Sequence, residues 1–268
     1  MVSGYATLSN MGVPYAVLGE GTPGILVIPG IEPEHLVPEG LRLQGVRGAF
    51  EELAEERAVA VAWRANRAPE EMTIGSIAAD YVDLARELEL TDLTIVSVST
   101  GCAMAIETAA RLGSRCRTLV LVSGGAVPSE IGRALLRRSA ELAGLGRWRA
   151  LAREQMIAFY PGLFGRTVLA GVAWLFPALY GEPDDPAYFM RLCTLAAEAD
   201  LRRRSEDVSA RTLVVNGERD VIYPPDVARE TALLLADGEL VTIPRAGHGA
   251  FKSHAGRIHR LIRSWIHS

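Results

Sequence analysis

Cysteine is scarce in this chain. Cys102, Cys116 and Cys193 are scattered and odd in number, with no Cys-x-x-Cys pair. That pattern argues against a disulfide framework or a structural zinc site and fits a reducing compartment. A basic surplus is also missing: 28 Lys and Arg stand against 32 Asp and Glu, for a net charge of −4, and Lys252 is the only lysine. A nucleic-acid footprint needs the opposite balance, so no nucleic-acid partner is expected. The longest apolar run, from about Thr167 to Leu179, falls short of the roughly 20 residues a membrane span needs. The opening Met-Val-Ser-Gly-Tyr lacks the basic-then-apolar pattern of a secretory signal, and a cytoplasmic protein is expected. What is present is a sizeable apolar content, 49% hydrophobic against 22% charged over 268 residues. That suits one large α/β domain, or a core with a small insertion.

Buried-strand patterns, short apolar runs between turn residues, occur at Ile25–Pro29, Ala58–Trp63, Leu93–Val98, Thr118–Val122, Thr212–Val215 and Glu239–Ile243. Tyr5–Ser9 and Tyr15–Leu18 read as a hairpin turning at Asn10 and Gly12. Helical periodicity appears over Ile77–Leu90, Ala103–Leu112, Asp226–Leu235 and Ile258–Ile266. Strands alternating with helices predict a mostly parallel central sheet covered on both faces. From Pro128 to about Ser209 the alternation stops. That stretch holds helical patterns at Gly132–Leu142 and Trp148–Phe159 and no convincing strand, so it reads as a helical insertion. The apolar stretch from Thr167 is expected to be a buried helix of that insertion, and Arg202-Arg-Arg204 a solvated helix face.

Gly19-Glu-Gly-Thr-Pro-Gly24 matches G-x-G-x-x-G but precedes a strand and contains Pro23. A dinucleotide fingerprint must follow a strand and open a helix, so this one is a turn. Ser97-Val-Ser-Thr-Gly101 is more informative. It ends a buried strand and opens a small-residue helix, the setting of a sharp turn that exposes a nucleophilic serine, with small residues two before and two after. Ser99 is the candidate nucleophile. A serine needs a base, and the base an orienting acid. His248 lies in Arg245-Ala-Gly-His-Gly249, a loop after a strand, between two glycines that free the backbone to aim the imidazole. His35 falls in an early Pro- and Glu-rich loop, and His254, His259 and His267 on or near the last helix read as surface residues. Asp220 follows another strand, with Glu218 and Asp226 as fallback acids. The order Ser, Asp, His along one parallel sheet is that of the α/β-hydrolases, distinct from chymotrypsin and subtilisin.

On these residues the chain resembles the α/β-hydrolase superfamily, in its serine branch with a helical cap, over essentially its full length. The resemblance implies a core of 1–127 and 210–268 with a cap at 128–209. It departs from the family at Pro29-Gly30, where His-Gly is usual. At the elbow, Ser97-Val98-Ser99-Thr100-Gly101 replaces Gly-His-Ser-x-Gly. Of the Asp-x-Arg-Gly loop only Arg64 is kept, in Ala62-Trp63-Arg64-Ala65. By position the resemblance implies backbone N–H groups of Ile31 and Thr100 as oxyanion donors, which do not depend on side chains. It implies acyl transfer by Ser99, His248 and Asp220, with no metal and no organic cofactor. The serine argues against the epoxide hydrolase and dehalogenase chemistries, for which the family places an Asp at the elbow.

More than half of the aromatic residues fall between 148 and 189. Trp148, Phe159, Trp174 and Phe176 are the candidates for binding an apolar small-molecule substrate. An ester, lactone or thioester is the expected bond. Carbon–carbon bond hydrolysis, cofactor-free perhydrolysis and a non-hydrolytic cyclase or binder stay open as alternatives. A homodimer also stays open.

Overall fold

The computed structural model describes residues 4–32, 37–175, 183 and 185–267, with the side chains of 41 and 42 left out. Its centre is an eight-stranded sheet in the order β1-β2-β4-β3-β5-β6-β7-β8. β1 (Gly4–Leu8) and β2 (Pro14–Leu18) form the hairpin, and β2 pairs antiparallel with β4 (Val59–Ala62). β3 (Ile25–Ile28), β4, β5 (Leu93–Val98), β6 (Cys116–Val122), β7 (Arg211–Gly217) and β8 (Gly238–Ile243) are parallel to their neighbours from β4 onward.

Alternation along the strands divides the core in two. Leu119 and Leu121 of β6 face one layer with Tyr81, Leu84 and Ile106. Val120 and Val122 face the other with Phe50, Leu53, Ile258 and Ile262. Successive side chains point to opposite faces of a strand, so a continuous apolar run is what a sheet covered on both sides demands. α2 (Ile74–Glu87) and α3 (Gly101–Leu112) line the first layer. Thr73 caps α2 by accepting from the Ser76 amide at 2.9 Å, and Gly113, at φ +56°, ends α3. α1 (Gly40–Ala54) lines the second layer. It carries Gly45 and Gly48 in its interior, a composition that does not announce a helix. Burial of Phe50, Leu53 and Ala54 against the sheet holds it.

Every described element between β6 and β7 is helical: α4 (Glu130–Gly144), α5 (Trp148–Phe159), a π-helical turn at Gly165–Leu169, α6 (Ala170–Leu175), α7 (Pro186–Glu198) and α8 (Arg202–Ser205). α4, α5 and α7 share a small core of Leu142, Ala143, Leu151, Phe189 and Cys193. Beyond β7 come α9 (Pro225–Leu234), α10 (Ala250–Ser253) and α11 (Ala255–His267).

Three expectations are corrected. The described part of the apolar stretch, 167–175, is not buried: Val168, Val172, Trp174 and Leu175 are exposed, up to 64% for Leu175. Within it only Ala170 and Ala173 turn inward, because the π-helical turn and the short α6 leave one narrow inner face. His259 is not a surface residue but 2% exposed, since α11 turns Ile258, His259 and Ile262 toward the sheet, and Phe251 meets its ring edge-on at 5.8 Å. Arg204 is not merely solvated; it reaches Glu107 of α3 at 2.7 Å. Among the described residues no helix is long and apolar enough to cross a membrane.

Candidate active site

Ser99 stands between the end of β5 and the start of α3 with φ +56°, a left-handed conformation that costs about 1–3 kcal/mol for a residue with a Cβ. The surroundings hold it there. The Ser99 amide donates to the Val122 carbonyl at 2.8 Å, and the Cys102 amide donates to the Ser99 carbonyl at 3.0 Å. The turn also packs too closely for larger neighbours. A Cβ on Gly101 would lie 2.5 Å from the Pro29 carbonyl oxygen and 2.6 Å from that of Ile28. Ser97 is fully buried, its hydroxyl 3.3 Å from the Val120 carbonyl.

β7 and β8 deliver the other two side chains to the same sheet edge. Asp220 is buried; its Oδ1 accepts from the amides of Ile222 at 2.9 Å and Tyr223 at 3.0 Å. Those bonds leave Oδ2 for His248 Nδ1, 2.9 Å away. On the far side of the ring, Nε2 is 2.7 Å from Ser99 Oγ. The imidazole sits between Phe159, at 4.9 Å between centroids, and Tyr223, stacked at 6.1 Å. Burial pushes the Tyr223 phenol above its ordinary pKa. The end of α5 presses on the histidine loop: the Gly249 amide donates to the Phe159 carbonyl at 2.9 Å, and a Cβ on Gly249 would meet the Tyr160 ring at 2.6 Å. With Asp220 accepting at Nδ1, a neutral His248 presents a bare Nε2 to the serine hydroxyl, the arrangement of a general base.

Of the fallback acids, Glu218 accepts from the Arg245 amide at 2.7 Å, and Asp226 is exposed in the first turn of α9. The Ile31 amide donates to Thr100 Oγ1 at 2.9 Å, and both residues line the cavity at Ser99. That cavity also takes in Leu136, Ser139, Gln155, Phe159 and His248. Among the described residues, Phe159 is therefore the one aromatic candidate found at the site. Trp148 packs against the core shared by α4, α5 and α7, and Trp174 borders a separate surface cleft with Arg153, Gly171 and Leu175. Phe176 and His35 lie outside the described residues.

Arg64 has a part that sequence reasoning does not assign. It is 3% exposed, and its guanidinium donates to the carbonyls of Pro29 at 2.6 Å and Gly30 at 3.0 Å. This fork fixes the turn that carries Ile31. The retained arginine was the available signal. Cys193 borders the cavity, yet burial pushes its thiol up to about 12, as it does that of Cys102. Both are protonated and inert as nucleophiles at neutral pH.

The alpha/beta hydrolase family model matches residues 25–261. An AB hydrolase superfamily protein of Bacillus subtilis is 34% identical over 71 residues, 26% of each chain. A pimeloyl-(acyl-carrier protein) methyl ester esterase of Nitrosomonas europaea is 34% identical over 83 residues, 31% of this chain and 33% of its own. The matched stretch thus spans only a quarter to a third of those relatives' lengths. Solved structures align over nearly everything. An α/β hydrolase from a Medee basin deep-sea metagenome library superposes with TM-score 0.81 at 17% identity, covering 96% of this chain and 95% of that one. The enol-lactonase of Burkholderia xenovorans gives 0.76 at 17%, over 98% and 100%. A meta-cleavage product hydrolase of Pseudomonas fluorescens gives 0.76 at 19%, over 98% and 97%.

Proposed function

Because this chain belongs to the alpha/beta hydrolase family, we propose that it is a serine hydrolase cleaving a carboxylic ester, lactone or thioester of a small, fairly apolar molecule. The observation that carries the reading is the continuous run from Asp220 through His248 to Ser99, with links of 2.9 and 2.7 Å. Ser99 Oγ attacks the carbonyl carbon while His248 Nε2 takes its proton. Asp220 holds the ring and stabilises its charged form. The carbonyl oxygen becomes an oxyanion on the side of the Ile31 and Thr100 backbone N–H groups. His248 then returns the proton to the leaving group, and activates the water that frees the acyl group from Ser99. Residues 128–209 act as a cap over the acyl pocket, where Leu135, Leu136, Ala158 and Phe159 supply an apolar wall.

Carbon–carbon bond hydrolysis stands second, because the same three groups would serve it and a meta-cleavage product hydrolase shares the fold over 98% of this chain. A panel of short to medium p-nitrophenyl esters, set beside a vinylogous diketone, separates the two. Ester turnover that Ser99→Ala lowers by about 10⁴-fold or more is the expected result. Fast diketone cleavage with feeble ester turnover would move the assignment to the second reading.

A further inference from the structure

Thr100 lies at the position after the nucleophile, is 3% exposed, and borders the cavity at Ser99. Its Oγ1 accepts the Ile31 amide at 2.9 Å. The first oxyanion donor expected from position is therefore already satisfied, by the Thr100 hydroxyl oxygen. A hydroxyl that accepts one bond still has a proton to donate. Among the described residues the Thr100 hydroxyl finds no acceptor, although a buried O–H left unpaired costs free energy. The direction left to it is the cavity, beside the Thr100 amide at the N-terminus of α3, which also has no partner among the described residues.

We infer that the Thr100 side-chain hydroxyl is a catalytic residue that donates directly to the developing oxyanion. The inference rests on the acyl-transfer reading and refines it. As Ser99 Oγ bonds to the carbonyl carbon, the C=O π pair moves onto oxygen, and that oxygen accepts from the Thr100 O–H and the Thr100 N–H. No proton is transferred to it. The Ile31 amide acts one step back: by donating to Oγ1 it fixes the hydroxyl and polarises its O–H bond, as chained hydrogen bonds do. Arg64, holding the Pro29 and Gly30 carbonyls, positions that amide.

The test compares wild type with Thr100→Ser, Thr100→Val and Thr100→Ala, reading kcat and KM on a p-nitrophenyl ester and the rate of fluorophosphonate labelling. Losing one donor of this kind lowers kcat by about 10²-fold or more. Thr100→Val and Thr100→Ala should both show that loss with KM little changed, and Thr100→Ser should stay close to wild type. Thr100→Ala supplies the answer should the valine disturb folding. Valine and alanine variants as active as wild type, or faster, would overturn the assignment; the hydroxyl would then only be plugging the Ile31 amide. A folded wild type that neither turns over nor labels would overturn the acyl-transfer reading itself, and is distinguishable because no variant comparison is then needed.

Discussion

Arg64 shows how one buried cation can serve a site it does not touch. Its fork satisfies two carbonyls in a turn made of Pro29 and Gly30. Neither residue's side chain can hold that turn, so the guanidinium replaces water that burial excludes. Arg64→Met leaves both carbonyls unpaired, at a cost of about 1–3 kcal/mol each, and frees the turn that carries Ile31. We predict a lower melting temperature together with at least a tenfold fall in kcat on the best ester, measured by thermal unfolding and steady-state kinetics. A methionine variant with wild-type stability and rate would contradict the bracing role. At this scale Ser99, Asp220 and His248 were legible, because each follows a strand in an order with few alternatives. The part played by the Thr100 hydroxyl was not. Whether a threonine faces solvent, its own helix or a neighbouring amide depends on a partner 69 residues away, and no local pattern encodes that.

Strands were legible as elements because a sheet buried on both faces needs unbroken apolar runs, and these stand out between turn residues. α1 was not, since its glycines mask it and its stability comes from contacts with the sheet. The exposed stretch from Thr167 misled for a related reason: apolar content says what burial would favour, while the π-helical turn and α6 turn only the small Ala170 and Ala173 inward. Between elements, Glu107 of α3 ties in α8 through Arg204 and meets Arg111 one turn on, both at 2.7 Å. Burial alone would raise its pKa, but the hydrogen bonds from Arg204 and Arg111 outweigh it and hold the carboxyl below its ordinary value. A depressed folded pKa gives stability that is complete above the unfolded value, about 4.3, and is lost as pH falls through the folded one. The melting-temperature gap between wild type and Glu107→Gln should thus be largest near neutral pH and shrink below about pH 4. A gap that does not change with pH would show that the pair adds nothing through ionisation.

At the scale of the whole molecule, the parallel order β4-β3-β5-β6-β7-β8 explains why residues 99, 220 and 248 meet. β5, β7 and β8 run in the same direction, so the residues just past their ends emerge at one edge, where open α/β sheets bind ligands. The helices between β6 and β7 follow a strand that ends at this same edge, and α5 reaches back to it with Phe159 against His248. Fold class and the three-residue chain were legible because they depend on strand order and loop position. The cavity at Ser99 was legible only through Phe159, since it is lined by side chains from α4, α5 and α7 whose faces are set by packing. The central claim is an activated serine at this edge, and fluorophosphonate labelling with mass-spectrometric mapping tests it most directly. The account predicts one labelled peptide, modified at Ser99, and no labelling in Ser99→Ala or His248→Ala. A folded wild type that stays unlabelled, or that is modified at another residue, would contradict it.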